Sequence, residues 1–220
     1  MAAEPIKQKA RRNDANHEAG MINMKLIPKS FHFNNWVRAN RNDKIVQFNN
    51  ISNAIYNLYR TVDVKNDPES KAKIDAWLDT VFSERDKAIK SLETQVSKFM
   101  SSADKDDPFI SAYSSMAFDQ VIFRFNHPRT GQFLRFFIRV NDMTEKLHIM
   151  WLSGKISEEQ YQTAFGNVTA DLQVGIDCIT KAFNVARREN GKYEPEEYIK
   201  KIKNYKSIDA YVASLVEEAA

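Results

Sequence analysis

The chain has 220 residues, with one cysteine, four histidines, six glycines, six prolines, 28% charged residues and a mean hydropathy of −0.53. The single cysteine (Cys178) excludes a disulfide framework and cysteine–zinc sites. The scattered His17, His32, His127 and His148 argue against a metal centre, and no apolar run nears the roughly 18 residues of a membrane helix. The net charge of +3 divides into +6 over residues 1–60, −3 over 61–115, +3 over 116–156 and −3 over 157–220, so a polyanion would meet two basic regions and two acidic ones.

This length suits one domain with appendages and a core that needs no cross-links. Residues 1–20 are polar and carry Lys7, Lys9, Arg11 and Arg12 without the apolar core of a secretory signal. They read as a disordered basic arm that either touches phosphates or aids solubility. From Met21 the residues alternate, with Ile22, Met24 and Leu26 on one side and Asn23 and Lys25 on the other. That is a short strand, ended by Pro28.

From Asn42 the apolar spacing changes to three and four. Ile45, Phe48, Ile51, Ile55, Leu58, Tyr59 and Val62 form one helical stripe. Asp67-Pro68 is an N-cap followed by proline at the first helical position, and Ile74, Trp77, Leu78, Val81, Phe82, Ile89, Leu92, Val96 and Phe99 line the next helix. The short polar turn between them predicts an antiparallel pair, which is scaffold without chemistry. Residues 101–116 form a polar connector; Asp104, Asp106 and Asp107 lack the glycine and terminal glutamate of a calcium loop.

Ala117–Asn126 is a second strand, with Val121, Phe123 and Phe125 on one side and Gln120, Ile122, Arg124 and Asn126 on the other. Pro128 opens a helix with an apolar face from Phe133 to Trp151, and Gly154 ends it. Ser157-Glu158-Glu159-Gln160 is a capping box for a helix running to about Arg188. After Gly191 come a basic helix (195–206) and a terminal one (207–219).

Enzyme motifs are absent: there is no glycine-rich phosphate loop, nucleophile elbow, HExxH or CxxC. Cys178 reads as a small core filler. His148 reads as a packed or surface histidine. Asp142 and Glu145, with Arg139 and Lys146 nearby, read as helix-surface ion pairs.

The second strand carries more. Paired antiparallel with its copy across a dimer, it would form a ribbon that fits the DNA major groove. There, arginine can bond guanine, and asparagine or glutamine can bond adenine. Gln120, Arg124 and Asn126 supply those groups. The helix start at Ser157, with Lys155 beside it, could clamp a phosphate. The same pattern also fits a sheet strand with a solvated face and an ordinary capped helix.

Three runs carry a resemblance: Gln120-Val121-Ile122-Phe123-Arg124-Phe125-Asn126-His127-Pro128, then Arg139-Val140-Asn141-Asp142, then His148-Ile149-Met150-Trp151-Leu152-Ser153-Gly154-Lys155-Ile156-Ser157. Over most of 20–190 the chain resembles the AcaB family, transcriptional regulators encoded on conjugative plasmids and integrating conjugative elements. His127-Pro128 stands where the family pattern has a hydroxyl residue before proline. The resemblance implies a ribbon-helix-helix-like protein acting as a dimer on promoters of transfer genes. It implies a ribbon over Phe118–Asn126 with Gln120, Ile122 and Arg124 facing bases, and Arg129, Lys155 and Ser157 as candidate phosphate contacts.

The expectation is a mainly α protein with a small β element: a dimeric helical bundle carrying a ribbon-helix-helix-like strand-helix-helix unit. It comprises an arm (1–20), one helical domain (21–190, with the helical pair at 42–101 and the strand-helix-helix unit at 117–190) and a C-terminal helical appendage (191–220). The expected function is sequence-specific binding of double-stranded promoter DNA as a homodimer, activating conjugative transfer genes, with RNA polymerase a further candidate partner. No enzyme activity, cofactor, metal or membrane is expected, and the location is the bacterial cytoplasm, at the nucleoid. A second candidate ribbon is Met21–Ile27, with Asn23 and Lys25 facing bases. The rival function is a helical structural or adaptor protein of a conjugative element, binding proteins instead of DNA.

Overall fold

A computed structural model describes residues 20–39, 43–102, 108–114, 118–183 and 194–217. The basic arm, including Lys7, Lys9, Arg11 and Arg12, and the acidic run at Asp104, Asp106 and Asp107 lie outside the described residues. In chain order the elements are β1 (Ile22–Leu26), α1 (Phe31–Val37), α2 (Lys44–Val64), α3 (Pro68–Ser102), α4 (Pro108–Ser111), β2 (Val121–Phe125), α5 (Pro128–Leu152), α6 (Glu158–Ala182), α7 (Pro195–Lys203) and α8 (Ile208–Glu217).

The helix ends follow local chemistry. Asp43 caps α2 by accepting the N–H groups of Ile45 (2.8 Å) and Val46 (3.1 Å). The turn after α2 closes with Asn66 in the left-handed region (φ 49°) and an Asp67 N–H to Val62 C=O bond of 2.9 Å, the geometry of a Schellman motif. Asp67 then caps α3 through Ser70 N–H (3.1 Å). Gly154 ends α5 in the same way (φ 71°), with Lys155 N–H on Met150 C=O at 2.9 Å. At the start of α5, His127 does the work of the missing hydroxyl: its Nδ1 accepts the Arg129 N–H at 3.3 Å.

The apolar stripes of the helices meet in one core. Phe48, Phe123, Phe133 and Phe137 interlock at its centre, with ring centroids 5.0–6.1 Å apart. α5 packs against α3, α6, α1 and β2. That central place explains why Thr130, Asn141 and Thr144 are buried on it beside the predicted apolar face. Near the end of α3, Val96 is buried while Phe99, read as a core position, is 51% exposed.

Three further expectations are corrected. α1 has no counterpart among the expected elements; Ser30 caps it (Oγ accepts Phe33 N–H, 3.2 Å) and it buries Phe33 and Val37 completely. The C-terminal helices are part of the bundle and not an appendage: Tyr198, Ile199, Ile202, Ile208 and Tyr211 join the common core. Lys203–Asp67 (2.7 Å) and Trp77 Nε1–Asp209 (2.9 Å) fasten them to α3. Cys178 is exposed on α6, so it fills no core space.

Candidate nucleic-acid interface

β1 and β2 pair antiparallel within one chain, in the register Ile22–Phe125, Asn23–Arg124, Met24–Phe123, Lys25–Ile122 and Leu26–Val121. Strand alternation then sorts the side chains. Val121, Phe123 and Leu26 face the core at 2%, 0% and 8% exposure, which fixes the face that the intervening residues present. Asn23, Lys25, Ile122 and Arg124 are exposed together on the opposite side, and Gln120 is exposed just before the strand. The two candidate ribbons are thus the two strands of one ribbon, and their proposed base-facing residues share one face.

This pairing alters the expected dimer. One edge of β2 is taken by β1, and the other is turned toward α2, whose Asn49 Oδ1 accepts the Arg124 N–H at 3.1 Å. β2 therefore does not offer its edge to a second copy, and it spans Val121–Phe125, shorter than Phe118–Asn126. The chain leading into it is held by Arg38, whose Nη2 donates to the carbonyl oxygens of Asp119 (2.7 Å) and Gln120 (3.4 Å). Neither Arg38 nor Asn49 stands out in the sequence, because their partners lie about 80 positions away (81 and 75).

Other expected contacts are committed elsewhere. Asn126 is half-buried, and its Oδ1 is enclosed without a hydrogen-bond partner. Arg129 points at α3: its Nη2 bonds Asp75 Oδ1 at 2.7 Å, its Nε bonds the same oxygen at 3.2 Å, and its Nη1 bonds Asp79. Burial would raise the Asp75 pKa, but the Tyr59 hydroxyl (2.5 Å) and the Arg129 guanidinium hold it below the usual carboxylate range. His127 stacks on Tyr59 beside this network at a centroid distance of 4.0 Å.

Arg139 is likewise bidentate on Glu93 (2.7 Å for both bonds) and reaches Asp86 at 2.6 Å. Part of the second basic block is therefore neutralised by the first acidic block, across the α3–α5 interface. Arg124, Arg135, Lys146 and Lys155 of that block remain exposed. Asp142 and Glu145 also bind beyond their own helix, holding Lys29 at 2.8 and 3.0 Å. Asn141, 1% exposed, brackets the same segment by accepting Lys29 N–H and donating to Ile27 C=O, both at 2.9 Å.

The capping box at Ser157 is present as predicted. Ser157 Oγ accepts the Gln160 N–H (3.2 Å), and Gln160 Oε1 accepts the Ser157 N–H (2.8 Å). The capping box engages the Ser157 and Gln160 N–H groups at the helix start expected to hold a phosphate, and Glu158 and Glu159 place negative charge in the same turn. Asn141, midway along α5, meets the segment that follows β1, and Leu152 lies about 16 Å further along the helix axis. Lys155 and Ser157 follow it, away from the ribbon.

Two of the hollows among the described residues lie outside the ribbon. One, of about 480 Å³, is lined by Leu92, Val96, Phe99, Leu147 and Ile156. The other, of about 690 Å³, is lined by Phe31, His32, Tyr113, His148 and Trp151. His148 is 6% exposed and its Nδ1 has no partner; burial, and next the charge of His32, push its pKa down. His32 is held by Tyr161 Oη (2.9 Å) and Gln162 Nε2 (3.0 Å). Among the described residues there is no cluster of three or more metal-ligating side chains, and no helix is long and apolar enough to cross a membrane.

No family model matches the chain, and no curated protein matches it. Among solved structures, the crystal structure of selenomethionine-containing AcaB from uropathogenic E. coli is similar. It has a TM-score of 0.55 and 13% identity, over 82% of this chain and 97% of that one. At that identity the likeness establishes an AcaB-like fold.

Proposed function

We propose that this chain is a sequence-specific, double-stranded DNA-binding transcriptional regulator that acts as a homodimer and reads the major groove with the outer face of the β1–β2 ribbon. The observation that carries this reading is the register, which gathers Asn23, Lys25, Ile122 and Arg124 on one solvent face while the opposite face is anchored in the core. A two-stranded ribbon fits a major groove about 12 Å wide. Arg124 suits the paired acceptors of guanine and Asn23 the adenine edge, while Ile122 can pack on a thymine methyl. Lys25 suits a phosphate or a guanine. The AcaB-like fold and the sequence resemblance to regulators of conjugative elements favour a regulatory role; transfer-gene promoters as targets, activation as the outcome and RNA polymerase as a further partner are part of the proposal.

The test is a gel shift and an anisotropy titration on promoter duplex across a range of salt. Arg124→Ala should lose on the order of 5- to 150-fold in preference for the promoter over random duplex, the value of one bidentate base contact. Its sedimentation as a dimer should not change. A variant that discriminates as well as wild type would remove Arg124 from the reading face. The adaptor reading is favoured by the outer edge of β1, which no other strand among the described residues pairs with, and by exposed Ile22 and Met24 beside it. Absence of duplex binding even at low salt would select that reading, because phosphate contacts are strongest there.

A further inference from the structure

α2 runs beside the ribbon in the direction of β2. The Phe48 and Phe123 ring centroids are 5.1 Å apart, Asn49 Oδ1 accepts the Arg124 N–H at 3.1 Å, and the Tyr59 ring stacks on His127 at 4.0 Å. Those contacts span about 16 Å of helix. Their order around the helix axis fixes where the next residues point. Phe48 reaches the core side of β2, where Phe123 is buried, and Asn49, about 100° further round, reaches the strand's edge. Asn53 and Arg60 lie about 40° and 20° beyond Asn49 in the same sense. They therefore stand past the edge, on the side where Asn23, Lys25, Ile122 and Arg124 are exposed, and both are exposed themselves.

This row carries donors and no carboxylates. From Lys44 to Val62 α2 contains no aspartate or glutamate, whereas the exposed side of α3 carries Glu69, Asp79 and Glu84. Arg60 meets no carboxylate among the described residues, unlike Arg129 and Arg139. The bond that Asn49 Oδ1 accepts from Arg124 leaves the Asn49 NH2 as a donor for another partner. A ribbon in the major groove leaves no room there for α2, since the groove is about 12 Å wide and a helix with its side chains takes about 10 Å. α2, on the β2 side of the ribbon, comes to lie over the sugar–phosphate strand that walls the groove. We infer that Asn49, Asn53 and Arg60 bind the phosphates of that strand and so set the depth and register of the ribbon. The inference rests on the ribbon reading above and supplies the backbone contacts that Arg129, held by Asp75 and Asp79, does not. Amide NH2 and guanidinium groups donate to phosphate oxygens whatever the base sequence.

The test compares full-chain variants by anisotropy on two duplexes: the one that the wild-type chain selects from a random pool, and a scrambled duplex of equal length. Arg60→Ala should weaken binding to both about fivefold at about 0.15 M salt, and flatten the slope of log K against log salt by about 0.9, the value of one phosphate. Asn53→Ala should weaken both roughly tenfold with an unchanged slope, because a neutral donor neutralises no phosphate. Alanine is the better helix former, so Asn53→Ala should melt no lower than wild type, which separates a lost contact from a lost fold. Lys155→Ala removes the same charge beyond the far end of α5 and should leave the slope unchanged. Wild-type affinity for both duplexes in either α2 variant, or a loss confined to the selected duplex, overturns the inference. If Arg60→Ala weakens both duplexes while Arg124→Ala still discriminates between them, the phosphate row stands and the base-reading face falls. The converse pattern keeps the reading face alone. A wild-type chain that binds neither duplex at low salt overturns both.

Discussion

Arg129 offers the sharpest test of how the cations of this chain are allocated. Its guanidinium is 20% exposed and holds Asp75, which is 34% exposed, together with Asp79, which is 63% exposed. Arg129→Ala would leave the half-buried Asp75 carboxylate with the Tyr59 hydroxyl as its remaining close partner. Breaking a fully buried pair costs about 3–5 kcal/mol. Asp75 is a third exposed, so water recovers part of that loss, and the largely exposed Asp79 adds little. About 2 kcal/mol remains, which for a chain of this size lowers Tm by roughly 4–8 °C. Thermal unfolding followed by circular dichroism near neutral pH measures it. The same variant should bind promoter duplex with an unchanged salt dependence. If Arg129 instead met a phosphate, the slope of log K against log salt would flatten by about 0.9 for each phosphate no longer neutralised. A variant with wild-type Tm and a flattened slope would refute the internal assignment.

Further consequences can be measured independently. Gly154→Ala should destabilise by about 1 kcal/mol, because φ is 71° there, whereas Gly166→Ala, at a mid-helix position with nothing within 4 Å, should stabilise by up to about 1 kcal/mol. Paired melting curves that shift in the same direction would contradict this. Asn141→Leu should cost about 2–4 kcal/mol by leaving the Lys29 N–H and Ile27 C=O unpaired, and hydrogen exchange should rise selectively across residues 22–29. Burial first of all depresses the pKa values of His127 and His148. Below the unfolded value near 6.5 the unfolded chain binds protons that the folded chain refuses, so stability falls between about pH 7 and pH 5. His148→Phe should show a smaller Tm loss over that interval, and an undiminished loss would exclude His148 as a contributor.

Much of the helical scaffold is legible in the sequence because its signals are local. Asp43, Asp67 and Ser157 act within their own first turns, Gly154 closes its own helix, and the stripes of α2, α3, α5 and α6 repeat at helical spacing. α1 escapes because it is about two turns long and follows a proline, with only Phe33 and Val37 fully buried to mark it. Phe99 misleads because the apolar spacing of α3 continues to it, while its side chain sits half-exposed at the hollow shared with Leu92 and Val96. The candidate site is half legible: alternation identifies Ile122 and Arg124 as outward-facing, and Asn23 and Lys25 on the other strand. It does not state that these two strands pair with each other.

Sequence by itself determined the mainly helical character with a small β element, the helix boundaries set by caps and the inward and outward sides of each strand, since all of these depend on residues within a few positions of one another. Tertiary structure decided which strand meets which and which cations are left exposed to solvent. Arg129 meets Asp75 across 54 positions and Lys29 meets Asn141 across 112, separations at which no periodicity relates the partners. The basic blocks therefore described the supply of positive charge, and the packing of α5 on α3 determined how much of it a polyanion can reach.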